Sequence, residues 1–537
     1  MRKLLTGLLC AWLTVGVFLS LTWADQWQAH DFFNLTGGLN DSDDPTAIKP
    51  NEASDLQNIV FVTGGAIVKR SGYTTLNTSA VCSPGNVTGL TFFKLSSGTR
   101  FLVAVVDCGA TDNIYSMPYG AGTAGPTGTW TSRTGALSFN VGADNLADFA
   151  AAQDQLVIED GLNTTPPMVW TGTGNATALG GSPGNQTMVE YHKRIMWAAG
   201  NDTNPSTLYF SNLGDIATWT STDTINIETN DGQVIRALKS ALDCLYIFKD
   251  ESIWRTCGTN RDDFTTEQMV RGIGTLSNQS VQVINNIFYF VSSQGEIVQY
   301  DGGITYNILS SKIKGTTNLL NKNRMTVVPS AQFINPGTGF NDYYAAFSTS
   351  ASGTNDRVIV YDTYNHAFTK FVGMNVNAFT PESYELGSQQ KALGFGDYGG
   401  VTYRYPNGNS DNTAAISAYY QSGWLRFDVP FEKTFRLIQM FANQTGNFTM
   451  LLGYAIDFDS TTTSNTISLN GTGAIWDTAV WDNASWGDLT TTTGRVELLR
   501  TGDFIQFRPS DNSTNPAFTV KGLRVWVEPT QRIGGIP

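Results

Sequence analysis

Seven times between about residue 88 and residue 405 the chain repeats one unit: an apolar strand, a polar turn, and a second strand that often ends in an aromatic residue. The units read RFLVAVVDCGATDNIYSMPY, DQLVIEDGLNTTPPMVW, KRIMWAAGNDTNPSTLYFS, DCLYIFKDESIWRT, NIFYFVSSQGEIVQYDG, YYAAFSTSASGTNDRVIVYDT and KALGFGDYGGVTYRY. Their spacing of roughly 40 to 55 residues is the period of propeller blades, not of helical solenoids. A lone hairpin of this kind has a face it cannot bury. Stacking such sheets around an axis buries that face and removes the exposed edges. The units match in pattern and not in residue identity, so six or seven blades are equally compatible with the sequence.

From about residue 411 the character changes. AISAYYQSGWLRFDV, FRLIQMFANQ, NFTMLLGYAIDF, VELLRTGDFIQFRP and FTVKGLRVWVEP are longer strands alternating with period two, which predicts an antiparallel sandwich. Among them lies IWDTAVWDNASWGD, where Trp476, Trp481 and Trp486 stand five residues apart. Residues five apart on a strand point to opposite faces, so this segment reads as a looped ladder of indoles. With 54 glycines, 12% aromatic residues and only 15% charged ones, the chain as a whole is expected to be mainly β.

Residues 1–24 begin with Arg2 and Lys3, continue in an uncharged run from Leu4 to Trp23, and place Thr22 and Ala24 at the −3 and −1 positions of a possible cleavage site. That is the pattern of an export signal, and a run of this length also spans a bilayer if retained. The formal charge of −13 excludes a broad basic surface for gripping nucleic acid, although it suits a wall past which a polyanion slides. Once Cys10 leaves with the leader, Cys82 with Cys108 and Cys244 with Cys257 form two near pairs. An even count in an exported chain favours disulfides, and four buried thiols are the alternative if assembly is cytosolic.

The search for chemistry returns little. The stretch DSDDPTAIKPNE, residues 41–52, has the acidic skeleton of an EF-hand loop, but Pro45, Thr46 and Lys49 occupy positions that need a ligand, a glycine and a water-bearing ligand. It is expected instead to form a turn at Asp44 and Pro45, followed by a short helix, EASDLQN, with Asn51 as N-cap and Glu52 in its first turn. His30, His192 and His366 are scattered, and no zinc, phosphate-loop or nucleophile-elbow pattern is present, so no catalytic, metal or cofactor-binding residue is assigned. SNLGDIATW, with Asp215 and Trp219, is similar to the Asp-box turns of sialidase propellers, but Gly214 precedes the acid and the turn does not recur.

The stretch FFNLTGGLNDSDDPTAIKPNEASDLQNIVFVTGGAIVKRSGY, residues 32–73, resembles the N-terminal signature of the tail nozzle proteins of short-tailed bacteriophages, also called tail tubular protein B or packaged-DNA stabilisation proteins. Gly37, Gly38, Leu39, Asn40, Asp44, Pro45, Thr46, Asn51, Glu52, Ala53, Asn58, Lys69, Arg70, Gly72 and Tyr73 match its GGLN, DPT, NEA-x-x-x-x-N and KRPGY elements, and Ser71 replaces the usual proline. LYFSNLGDIATW (208–219) and GTGAIWDTAVWDNASW (471–486) are similar to the family's blade motif and tryptophan ladder. The resemblance implies a non-catalytic virion protein: a β-propeller on a sandwich-like platform, closing as a homo-oligomer, commonly a hexameric ring. Such a ring sits below a tail adaptor, supports tail fibres or spikes, and lets double-stranded DNA pass without specific binding. In this reading residues 25–87 and 411–537 build the platform, 88–410 the propeller, and Gly64 and Gly65 turn a hairpin. The rival from a different class is an exported or virion-surface propeller that binds host glycans or receptors.

Overall fold

A computed structural model describes residues 27–76, 79–109, 113–119, 126, 128–135, 139, 142, 144–163, 165–181, 183–381, 384–385, 391–427, 432–470 and 491–529. The chain is mainly β and forms a β-propeller joined to a two-sheet platform. Each of the seven hairpins read from the sequence supplies the two middle strands of one antiparallel sheet, as Gln155–Glu159 and Met168–Trp170 do in the second sheet. Six of these sheets have four strands in simple sequential order, spanning 86–132, 148–178, 188–226, 235–271, 282–308 and 330–372. They are blades 1 to 6.

Blade 7 is composite. It takes Ala378–Phe379, Lys391–Gly396 and Thr402–Tyr405 from one part of the chain, and its outer strand is Thr74–Thr75, which pairs with Arg404 and Tyr403. The circle is therefore closed by a strand made before blade 1. The disulfide Cys82–Cys108 lies beside this closure: Val81 donates to the Gly400 carbonyl of blade 7 at 2.7 Å, and Cys108 follows the second strand of blade 1. The other disulfide, Cys244–Cys257, bridges directly opposed residues of two blade 4 strands.

The middle strands are apolar on both faces because each blade is covered on both sides. Leu156 and Ile158 pack toward blade 1 with Phe93 and Val105, whereas Val157 between them packs toward blade 3 with Met196 and Ala198. A separate hydrophobic core fills six of the seven blade-to-blade interfaces, from the 1–2 contact around Trp170 to the 7–1 contact around Val87 and Ala378, and the 5–6 interface shares its core with the platform. Period-two alternation sends successive side chains into successive cores. In blades 2 to 5 the first two strands are joined by two-residue turns with both φ positive, at Gln153–Asp154, Lys193–Arg194, Leu242–Asp243 and Asn285–Asn286. These are the hairpin turns whose twist matches the strands.

The platform is a sandwich of two six-stranded sheets. One contains Ile59–Phe61, Ile67–Lys69, Thr519–Pro529, Lys433–Asn443 and Thr491–Gly502, with Gln28–Phe32 also paired to Thr519–Pro529. The other contains Gly38–Leu39, Glu52–Gln57, Ala418–Ser422, Ile505–Asp511, Thr449–Ile456 and Thr463–Ser468. Leu56, Phe61, Phe435 and Val525 from the sandwich share one continuous core with Tyr289 and Val291 of blade 5 and Tyr343 and Phe347 of blade 6. The platform thus rests on the 5–6 interface.

One sequence expectation is corrected. EASDLQN is not a helix: Glu52–Gln57 is a strand, parallel to Gly38–Leu39 on one side and antiparallel to Ala418–Ser422 on the other, with a bulge between Ala53 and Asp55. Asn51 caps no helix; its carbonyl accepts from the Gly37 amide at 2.9 Å and from the Tyr420 hydroxyl at 3.1 Å. Pairing on both edges overrides the helical preference of Glu, Ala, Leu and Gln. Residues 1–24 and the ladder of Trp476, Trp481 and Trp486 lie outside the described residues.

Candidate functional site: the seam between platform and propeller

The residues 37–73 singled out in the sequence converge on a buried polar seam where the platform meets blades 5, 6 and 7. Its centre is Arg70, whose side chain is fully buried. The guanidinium donates to both carboxylate oxygens of Asp411 (2.7 and 2.6 Å), to Asn58 Oδ1 (2.8 Å), and to the carbonyls of Ser71 (3.0 Å) and Val372 (2.9 Å). All five donors of the fork are used. Burial raises the Asp411 carboxyl above its ordinary range, against the opposing pull of the bidentate bond from Arg70 and of the nearby Lys69.

Asn58 is the second hub. Its backbone is left-handed (φ 56°), which Asn tolerates better than most residues. In that conformation its Oδ1 accepts from Arg70 and from the Val372 amide of blade 6, and its Nδ2 donates to the Ser417 carbonyl at 2.8 Å. Lys69, also buried, reaches the opposite way to Asp511 (2.5 Å) and the Ser513 carbonyl (2.6 Å) in the C-terminal half of the sandwich. Lys69 thus ties the two platform sheets to each other, while the next residue, Arg70, ties the platform to blade 6 and to the connection that carries Asp411.

The acidic stretch that resembles a calcium loop serves the same seam. Buried Glu52 accepts from Asn40 Nδ2 (2.9 Å), the Lys49 amide (3.1 Å) and Lys312 Nζ (2.7 Å), the last from the helical turns after blade 5. Burial opposes its ionisation, but Lys312, Asn40 and Lys49 outweigh it and hold the carboxyl below its ordinary range. Asp44 closes its turn by accepting from Thr46 at 2.8 Å, and the Pro45 carbonyl accepts from the Trp424 amide. Two glycines are required by approach: a Cβ on Gly37 would stand 2.6 Å from the Asn51 carbonyl, and one on Gly72 only 2.0 Å from that of Ser410. Gly38, Gly64 and Gly65 have φ of 80°, 86° and 84°.

Asp215 and Trp219 are elsewhere, in the turn that leads into the outer strand of blade 3. There Asp215 accepts from the Ala217 amide and the Thr218 hydroxyl, and the Trp219 indole donates to the Ile216 carbonyl, a self-contained turn. The acid partners of the seam, Asp411 and Asp511, were not singled out by sequence reasoning. They lie 341 and 442 residues from Arg70 and Lys69, and no local pattern marks them.

Among the described residues, side chains reach across the propeller hub. Gln279, on the turn entering blade 5, reaches across to the Ala147 carbonyl (2.6 Å) and to Asp148 (3.3 Å) of blade 2. The void beside it, between Gly89, Phe149, Ser330 and Asn377, is only about 10 Å³. No polynucleotide passes through it. At one end of the axis a wider polar hollow of about 370 Å³ is lined by Asp144, Asn163, Asp202, Arg236 and Asn278. Acids surround the hub: burial raises Asp148 and, more strongly, Glu159, and pushes half-buried Glu190 up to about 7 against the pull of Lys239. His192 Nδ1 lies 2.7 Å from Ser240 Oγ, but the nearby acid, Asp243, is exposed and paired with Lys193, so His192 and Ser240 form no relay triad with it. No cluster of three or more metal-ligating side chains is found among the described residues.

No family model matches the chain, and no curated protein matches it. Among solved structures it is similar to YCF48 bound to a D1 peptide (13% identity over 63% of this chain and 100% of that one, TM-score 0.36). It is also similar to the extracellular domain of the putative one component system BT4673 from B. thetaiotaomicron (10%, 70% and 45%, 0.38), and to the exo-β-1,3-galactanase of Phanerochaete chrysosporium (8%, 85% and 99%, 0.26). None of these likenesses carries an argument about what this chain binds or does.

Proposed function

We propose that this chain is a structural subunit of a short phage tail, a nozzle protein whose copies close into a ring around the path of the genome. The observation that carries the reading is the seam. Among the residues that resemble the nozzle signature, Glu52, Asn58 and Arg70 tie the platform to the propeller through Lys312 and Val372, and Gly37, Asn40, Lys69 and Gly72 hold in place the segment that carries them. A rigid two-body unit of this kind suits a part that must hold its shape under load. Because side chains reach across the hub, a duplex would run between copies and not through a propeller, and the −13 charge suits a wall that lets DNA slide. The subunit acts without chemistry of its own, between an adaptor above and fibres or spikes beside it.

Negative-stain imaging of the purified protein, alone and with a portal–adaptor complex, tests the proposal. Rings with a central opening that seat on the adaptor are the expected result. A monomer that ignores the adaptor and binds immobilised glycans would replace this reading with that of an exported receptor-binding propeller.

A further inference from the structure

The connections that enter successive blades meet at one end of the propeller axis and leave the hollow of about 370 Å³. Asp144 comes from the connection into blade 2, Arg236 from the first strand of blade 4, and Asn278 from the turn before blade 5. Asn163 and Asp202 come from the turns that follow the second strands of blades 2 and 3. Two of these charges are already committed. Arg324 donates to both carboxylate oxygens of Asp144 (2.9 and 2.6 Å), and Arg236 Nε donates to Asp250 at 2.8 Å. Asp202 is exposed and enters no ion pair among the described residues.

Behind the lining lie further acids. Asp148 accepts from Gln279, itself part of the lining, at 3.3 Å, and Glu159 stands opposite Asp148 in the strand register. Both are buried, and neither oxygen of Glu159 has a hydrogen-bond partner. Lys239 offsets Asp148 and Glu190. Asn163 Oδ1, in the lining, is also buried without a partner. With both arginines paired, the hollow keeps an uncommitted carboxylate and an unpartnered acceptor. That surplus selects the sign of a ligand: a phosphate or carboxylate would meet repulsion and no free base. A bare metal ion asks for several acids or imidazoles converging on one point, and no such cluster is found among the described residues. An ammonium group is all donor and needs only a negative field and acceptors within reach.

We propose that this hollow binds an organic ammonium group, the end of a lysine side chain or of a polyamine, drawn by Asp202 and received by Asn163 Oδ1 in the lining. The alkyl stem of such a ligand has Leu146, Met188 and Leu276 to lie against. The site is a binding function separate from assembly, and it stands whether or not copies of the chain close into a ring.

The test is isothermal titration calorimetry of the full chain with N-acetyl-lysine methylamide, the same compound acetylated on its side-chain nitrogen, spermidine, calcium chloride and methyl glycosides. The subjects are the wild type, D202K, which sets a tethered ammonium in the hollow, and N163A, which removes the unpartnered acceptor. Saturable wild-type binding of an amine, absent with the acetylated compound, is expected, and whichever of the lysine compound and spermidine binds more tightly identifies the source. D202K should weaken it by about tenfold or more, and N163A by about fivefold. Because Asp202 is exposed, the thermal midpoint of D202K should match the wild type. A D202K protein that binds amine as tightly as the wild type would place the ligand elsewhere and overturn the proposal. So would a wild type that no amine saturates, or one that takes calcium or a glycoside and no amine.

Discussion

Arg70→Met is the substitution whose effect the structure specifies most fully. Methionine keeps much of the side-chain volume and removes all five hydrogen bonds, so the loss is polar and not a cavity. It leaves the Asp411 carboxylate, 7% exposed, without its partner, together with the carbonyls of Ser71 and Val372. Breaking one half of a buried ion pair costs about 3–5 kcal/mol. Asn58 Oδ1 keeps the Val372 amide, which places the expectation at the lower end, about 3 kcal/mol. The double variant R70M/D411L removes both charges and should lose less than R70M alone, because no uncompensated carboxylate stays behind. A chain of several cores does not unfold in one step. The readout is therefore local: urea-dependent proteolysis of the 406–414 connection, resolved by mass spectrometry, beside the tryptophan-detected midpoint. Cleavage there should begin at markedly lower urea in R70M and be partly restored in R70M/D411L. An R70M protein within about 1 kcal/mol of wild type, or a double variant worse than the single, would refute the view that this pair locks the seam.

Three further outcomes are expected. Because burial raises Glu190 from 4.5 to about 7, the folded state holds a proton that the unfolded chain has released; the contribution is fully present below about pH 4.5 and lost as pH rises through 7. Glu190→Gln should flatten that slope and stabilise by about 1–2 kcal/mol at pH 7.5, after allowance for its half-buried position, and pH-dependent urea midpoints would read it. Gly72→Ala, whose new methyl would stand 2.0 Å from the Ser410 carbonyl, should cost about 3 kcal/mol by forcing backbone apart, against about 1 kcal/mol for Gly64→Ala, where space is open and only φ of 86° is strained. Replacing Cys82 and Cys108 by serine opens a link across 26 residues and should cost about 3 kcal/mol, with hydrogen exchange rising first at 74–75 and 400–405.

The blades were legible in the sequence because their middle strands are buried on both faces and stand out as apolar runs ended by turns. Their first and last strands were not. Trp219–Asn226, the outer strand of blade 3, is mostly exposed and polar, and Thr74–Thr75 is too short to show any period. The platform strands were visible through alternation, as in Lys433–Asn443, where buried and half-buried residues take turns except at the 435–437 bulge. Glu52–Gln57 was misread because its composition favours a helix and only its neighbours in space, Gly38–Leu39 and Ala418–Ser422, make it a strand. The seam was half legible: Lys69, Arg70 and Asn58 stand in the N-terminal signature, but the acids that answer them are set by the fold alone.

The composite blade 7 fixes an order of events during synthesis. Thr74–Thr75 leaves the ribosome early and waits, unpaired, until Thr402–Tyr405 has been made; the platform waits longer, for Lys433–Asn443 and Thr519–Pro529. A polypeptide released before Thr402–Tyr405 would have neither a closed circle nor a finished sandwich, and one released between that strand and Thr519–Pro529 would have the circle without the sandwich, so neither would compete with complete subunits for a place in an assembly.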